Sequence, residues 1–281
     1  MTALHASVEG GRTGAMPNRR TPDSGPTPGA APRGVAAVRL ELRKLRHKHL
    51  PLIAIAIMAA QVFWLGATSS RGVQSNPDFR LVFFSLPTMN AIFMPVLSGV
   101  IASTVCDIEN RGNMFKELLT MQPARNLFAA KWGVSALVIG IVVTVQTVVF
   151  TLMVGVLGCT GAPGPLMLME YWASTISVCL FIATLIQVLS LFFANQFLPM
   201  VVSVGLSFLG LFVMYLPKVF AYFVPSAYFG ILSTVGIGYD AAAGVATYTT
   251  VPWSIPAFAL IVALTVAMYA LASRAFARKE L

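Results

Sequence analysis

Asp107–Lys131 reads DIENRGNMFKELLTMQPARNLFAAK, a charged island between two long apolar runs. Those runs, Leu86–Val105 and Trp132–Leu157, have the composition of lipid-embedded segments. A predominantly apolar stretch of about 20 residues spans roughly 30 Å of hydrocarbon. The island is therefore expected at a membrane surface. Asn113–Gln122 has helix-forming composition with one apolar flank, and Pro123 ends it. A helix held outside the bilayer between two spans is a natural docking surface for a soluble partner.

The rest of the chain extends this pattern. Of 281 residues, 57% are hydrophobic and only 10% charged, against about 25% charged in a soluble domain. The expected fold is an all-α polytopic membrane protein with six spans. These are Leu50–Ala67, Leu86–Val105, Trp132–Leu157, Tyr171–Ala194, Phe197–Leu216 and Pro252–Ala272. The third is the longest; it exceeds the bilayer and should tilt or protrude. Pro87, Pro95 and Pro256 are read as lying near span ends, where a missing donor is tolerated. Val219–Val235 is apolar and aromatic but divided by Pro225, so it reads as a re-entrant pair of short helices before the last span. Its aromatics (Phe220, Tyr222, Phe223, Tyr228, Phe229) suit an interfacial belt.

The N-terminal region has two parts. Residues 1–34 are rich in Pro, Gly, Thr and Arg without apolar periodicity, and such a tail is expected to be disordered. Its Ala, Gly, Arg and Pro content points to a GC-rich bacterial genome. Val35–His49 follows with Val35, Val38, Leu42 and Leu45 at helical spacing, and Arg39, Arg43, Lys44, Arg46 and Lys48 around them. A basic amphipathic helix of this kind lies in the interface of an anionic membrane.

Lys and Arg concentrate on the cytoplasmic side of membrane proteins. With six spans, 16 of the 19 cations fall on the side that holds both termini and the island. Only Arg71, Arg80 and Lys218 fall opposite. The expected location is the plasma membrane with both termini and the island cytoplasmic. The net charge of +9 is thus an orientation signal, with no nucleic-acid partner implied.

Chemistry-bearing patterns are missing. No Lys follows a Gly, which removes the phosphate-cradling P-loop. HExxH and GxSxG are absent, and the three cysteines (Cys106, Cys159, Cys179) have no metal or redox spacing. The three histidines all precede the first span. No charged residue falls in the apolar core of the six expected spans, which argues against proton coupling. Sodium coupling through backbone carbonyls stays open. Gln61, Asn90, Gln146 and Gln187 are polar side chains of the spans, and such groups more often join helices than catalyse. No catalytic, cofactor-binding or metal-binding residue is assigned.

This arrangement resembles the permease subunit of type-2 ATP-binding-cassette exporters. The architectural likeness runs from about Val35 to Ala277. The local likeness lies in Glu109-Asn110-Arg111-Gly112-Asn113-Met114-Phe115-Lys116-Glu117-Leu118-Leu119, then Pro123-Ala124-Arg125 and Lys131. It is similar to the family's acidic residue, polar turn, Lys-x-Leu-Leu helix and Pro/Arg turn into the third span. The spacing is most similar to lantibiotic-immunity and bacitracin-resistance permeases. The resemblance implies that this element is a coupling helix docking on a separate ATPase subunit, which binds the ATP. Glu109, Asn113, Met114, Phe115, Lys116, Glu117, Leu118 and Arg125 would form the docking surface. A second permease copy or a paralogue would pair with the chain. Ser98-x-x-x-Ala102 and Gly99-x-x-x-Ser103 offer small-residue faces for close helix approach. The implied function is export of an amphipathic or hydrophobic substrate, such as an antimicrobial peptide or drug. Two alternatives remain at this point: a non-transport membrane anchor that recruits a partner through the island, and an enzyme acting on lipid.

Overall fold

A computed structural model describes residues 50–75, 77–110, 124–193, 197–240 and 245–278. Five long helices dominate: α1 (Leu50–Ser75), α2 (Phe79–Asn110), α3 (Ala124–Val156), α4 (Pro165–Phe192) and, after shorter elements, α8 (Ile255–Arg278). Among the described residues these five are long and apolar enough to cross a membrane. α5 (Phe197–Val213) is apolar but has 17 residues.

The expected 197–216 helix is cut short by Pro217. The residue before a proline is disfavoured in helical conformation. The chain instead tightens, with Tyr215 N–H donating to Phe212 O at 3.1 Å and Leu216 N–H to Val213 O at 3.0 Å. Next come α6 (Lys218–Ala221), a 3-10 turn at Pro225–Ala227 and α7 (Tyr228–Ile231), so the helical pieces around Pro225 are single turns. The aromatics divide there. Phe220, Tyr222 and Phe223 are exposed, whereas Tyr228 and Phe229 are buried in the core, contrary to a uniform interfacial belt.

An element not anticipated from the sequence follows. β1 (Val235–Asp240) and β2 (Val245–Thr250) pair antiparallel, from Val235 opposite Thr250 to Asp240 opposite Val245.

The spans outrun their apolar cores. α2 has 32 residues and α3 has 33, so each is about 50 Å long and extends beyond a hydrocarbon layer of roughly 30 Å. Pro87 and Pro95 accordingly lie inside α2 and not near its ends. α3 ends on a left-handed Gly158 (φ 69). Gly158 N–H donates to Gly155 O and Cys159 N–H to Val154 O, the paired bonds that close a helix C-terminus.

α2 is the central helix. Of its apolar window 72% is buried inside the protein, against 22% for α1 and α8. Met94, Leu97 and Ile101 of α2 pack with Ile139 and Val143 of α3, Ile182 and Ile186 of α4, and Ile261 of α8. A Cβ on Gly99 would collide with the Ser203 side chain of α5. Ser98, Ala102 and Ser103 are buried as well. The small-residue face expected to permit close helix approach is used within the chain, to seat α5 on α2. Conversely, Leu52, Ile55, Phe63, Val148, Leu152 and Val266 are exposed, as lipid-facing residues of a polytopic protein would be.

Candidate functional site

The expected docking residues fall mostly outside the described structure. Asn113, Met114, Phe115, Lys116, Glu117 and Leu118 lie in the 111–123 segment, and Arg39, Arg43, Lys44 and Arg46 precede residue 50. Glu109 belongs to the last turn of α2. Arg125 is exposed in the first turn of α3.

The two ends of the island are described, and they are joined. α2 carries the chain through Asn110 and α3 resumes it at Ala124. Lys131, by sequence one of the loop cations, is wholly buried within α3. Its ammonium donates to Val105 O of α2 at 3.0 Å. A lysine buried beside apolar neighbours needs such acceptors, because its charge is otherwise stripped of water.

Aromatic packing surrounds this contact. Phe128 lies 5.3 Å from Tyr269 and 6.2 Å from Phe276 of α8, and Trp132 lies 5.2 Å from Tyr269. Gln187 of α4 donates to Phe128 O at 3.1 Å, and Trp132 Nε1 donates to Thr184 Oγ1 at 2.8 Å. The base of the island is thus a buried node shared by α2, α3, α4 and α8. Sequence reasoning missed it. The available signal was a single lysine set in the run Asn126-Leu127-Phe128-Ala129-Ala130-Lys131-Trp132.

A second polar cluster lies deeper. Gln61 of α1, Asn90 of α2 and Gln146 of α3 are 0%, 1% and 0% exposed. Gln146 Nε2 donates to Asn90 Oδ1 at 2.9 Å and to Gln61 Oε1 at 3.1 Å. Gln61 Nε2 reaches Asn90 Oδ1 at 3.5 Å, and Asn90 Nδ2 donates to Tyr171 OH of α4 at 3.0 Å. Gln146 Oε1 is buried without a hydrogen-bond partner. Four helices are stitched together by groups with no charge and no activated nucleophile. A cavity of about 20 Å3, lined in part by Asn90, Tyr171, Ser174 and Thr175, adjoins the cluster. That volume has room for one water molecule.

On the opposite side from the island, Asp78 caps α2, accepting from Arg80 N–H at 2.9 Å. Thr160 ties the α3–α4 loop to the α1–α2 loop through Thr160 N–H to Pro77 O at 2.6 Å. Burial, and then the Asp78 carboxylate, push the Cys159 thiol above its ordinary pKa.

Residues 37–210 match the ABC-2 family transporter protein domain, which is more than half of the chain and includes the island. The chain belongs to that family. No curated protein matches it. An ABC-2 permease is the membrane component of an ABC transporter and works with an ABC ATPase subunit. This ABC-2 chain is accordingly a multi-pass membrane protein with a transport role.

Proposed function

We propose that the chain is the permease subunit of an ATP-driven exporter whose separate ATPase docks on the 107–131 segment. The carrying observation is the ABC-2 family match, which spans both the island and the spans beside it. The buried node at Lys131, Phe128 and Trp132 supports the reading. A partner bound to the island would act on two helices already joined at its base. The substrate class proposed is amphipathic or hydrophobic, in keeping with the likeness to lantibiotic and bacitracin permeases. A second permease copy or a paralogue completes the pathway. With α5 taken as a sixth crossing, both termini and the island face the cytoplasm, an orientation supported by the sequence distribution of 16 of 19 cations.

The test is Phe115→Ala with Leu118→Ala. Apolar anchors in a desolvated interface each cost about 2 kcal/mol or more on truncation, so the pair should weaken ATPase binding roughly a thousandfold. Co-purification with the partner ATPase should be lost while membrane insertion is kept. Glu109→Gln should be milder, because exposed ion pairs contribute about 0–1 kcal/mol. A double variant that still binds the ATPase and exports normally would remove the island from the coupling role.

A further inference from the structure

The water-sized cavity beside the amide cluster lies against a break in α2. Phe83 and Pro87 of that helix both line it. Proline has no N–H, so the Phe83 carbonyl lacks the donor that the residue four positions on supplies in a regular helix. The proline ring is also set against that carbonyl, which puts the deprived oxygen beside the cavity. An unsatisfied carbonyl is costly in lipid, and ordered water is one of the groups that make it good.

A donor stands in the same lining. Ser174 Oγ of α4 accepts from Trp253 Nε1 at 2.9 Å. That bond uses its oxygen and leaves the hydroxyl proton to give. An acceptor and a donor thus border a space of about 20 Å3, and a water can donate to the first and accept from the second. Asn90, Tyr171, Thr175 and Thr234 add polar groups to the wall, enough for the roughly three hydrogen bonds of a buried water. No Asp or Glu lines the space. A cation there would exchange its hydration for neutral groups alone, so water is the fitting guest.

The break also falls at a seam in the packing. Val82, Phe83 and Leu86 of α2 pack in one core with Leu65, Phe150 and Val154. From Ala91 onward, α2 packs in a second core with Ile139, Val143 and Ile182. α3 changes core between Val143 and Phe150, on either side of Gln146. Pro87 and Asn90 occupy the changeover in α2. Proline, or a water inserted into the helical ladder, is a recognised cause of bending at such a turn.

We propose that the cavity holds one resident water joining the Phe83 carbonyl to the Ser174 hydroxyl, and that this hydrated turn is a hinge in α2 between the two cores. The hinge lies just outside the stretch from Asn90 to Val105 that is tied to α3. It draws nothing from ATPase docking or from the transported substrate, so its test stands apart from the export reading.

The experiment is X-ray radiolytic labelling of the full chain in mild detergent, read residue by residue by mass spectrometry. Radicals formed from a bound water oxidise the side chains around it. Phe83 and Phe229 line the cavity and are each 4% exposed, and both should be oxidised severalfold faster than Phe150, which is 1% exposed. Ser174→Val removes the donor and sets a methyl in the cavity, and should bring Phe83 down to the Phe150 rate. Pro87→Ala gives the Phe83 carbonyl a helical donor, so Ser174→Val should lower the unfolding midpoint less in that background than in the wild-type chain. Hydrogen exchange reads the hinge: residues 86–91 should exchange faster than residues 98–105, and Pro87→Ala should narrow the difference. Phe83 oxidised no faster than Phe150 in the wild-type chain would overturn the water site. An equal effect of Ser174→Val in both backgrounds would overturn its link to the Phe83 carbonyl. Exchange at 86–91 as slow as at 98–105 would overturn the hinge. Labelling seen in choline chloride and lost in sodium chloride would give the cavity to a cation and overturn the proposal as well.

Discussion

Gln146→Leu probes the deep amide cluster most directly. The substitution removes two amide bonds, to Asn90 Oδ1 at 2.9 Å and to Gln61 Oε1 at 3.1 Å, and a weak contact to Met94 Sδ at 3.7 Å. Interhelical hydrogen bonds within membranes average about 0.6 kcal/mol and reach about 1.7, so the gross loss is roughly 1–3 kcal/mol. The same substitution deletes Gln146 Oε1, which has no partner. A buried unsatisfied acceptor costs about 1–3 kcal/mol, and its removal offsets part of the loss. The expected net destabilisation is about 1 kcal/mol. Asn90→Leu has no such offset. It removes the acceptor shared by Gln61 and Gln146 and the bond to Tyr171 at 3.0 Å, and should cost about 2–3 kcal/mol. The triple variant with leucine in place of Gln61, Asn90 and Gln146 should cost less than the sum of the singles, because no amide is then left unpaired. Detergent-titration unfolding of the singles, the triple and the Gln61–Gln146 double-mutant cycle measures these quantities. Gln146→Leu as damaging as Asn90→Leu, or strict additivity through the triple, would refute the reasoning.

Five further outcomes are expected. Cys159 carries a raised pKa, so its thiolate form is scarce at neutral pH and its maleimide labelling should climb only as pH rises past the ordinary thiol value. Asp78→Asn keeps the helix cap but removes the carboxylate charge that disfavours the thiolate, and should shift that labelling profile to lower pH; an unmoved profile would exclude Asp78 as a cause. In intact cells a membrane-impermeant thiol reagent should reach Cys159, while a cysteine placed at Asn113 should stay unlabelled; the reverse pattern would invert the proposed orientation. Gly99→Ala should destabilise by about 1–3 kcal/mol through overpacking, with Ser203→Gly restoring melting temperature, since the Ser203 side chain is what the added methyl meets. Lys131→Glu places an anion against the Val105 carbonyl and should cost about 3–5 kcal/mol, seen as loss of monodisperse protein, whereas Lys131→Met removes the buried charge and should accumulate far better.

Much of the membrane architecture was legible because lipid imposes a length rule on apolar runs. The rule governs only the part of a helix inside lipid. α2 begins at Phe79 and not at Leu86, and runs on to Asn110, because water outside the bilayer sets no limit on a helix that is already nucleated. The amides at Gln61, Asn90 and Gln146 were recognisable as helix-joining groups because the interior of the spans offers them few other partners. The β1–β2 hairpin was not legible. Its Gly, Tyr and Thr residues alternate weakly beside a strongly apolar stretch, and that stretch dominated the reading. Lys131 was misplaced for a different reason. Counting cations assigns every lysine to water, but only the surroundings of Lys131 reveal a side chain turned inward onto a helix carbonyl.

The two polar clusters acquire a joint meaning from their spacing. Lys131 and Gln146 of α3 are separated by the same length of helix as Val105 and Asn90 of α2. The antiparallel helices are therefore tied at two levels about 22 Å apart, once by Lys131 to Val105 and once by Gln146 to Asn90. Gly99, which packs against Ser203 of α5, falls between those levels. Two ties on a pair of rigid helices suppress both sliding and scissoring of α2 against α3. The α2–α5 contact rests on close small-residue packing, with Gly99 against Ser203 and Ser103 Oγ meeting Met200 Sδ at 3.8 Å. Under the proposed export reading, a displacement imposed at the island moves α2 and α3 together. A variant that loosens the Gln146–Asn90 tie should then lower the efficiency with which ATP hydrolysis drives export before it lowers ATPase binding, because the docking segment and the base of the island remain as they were.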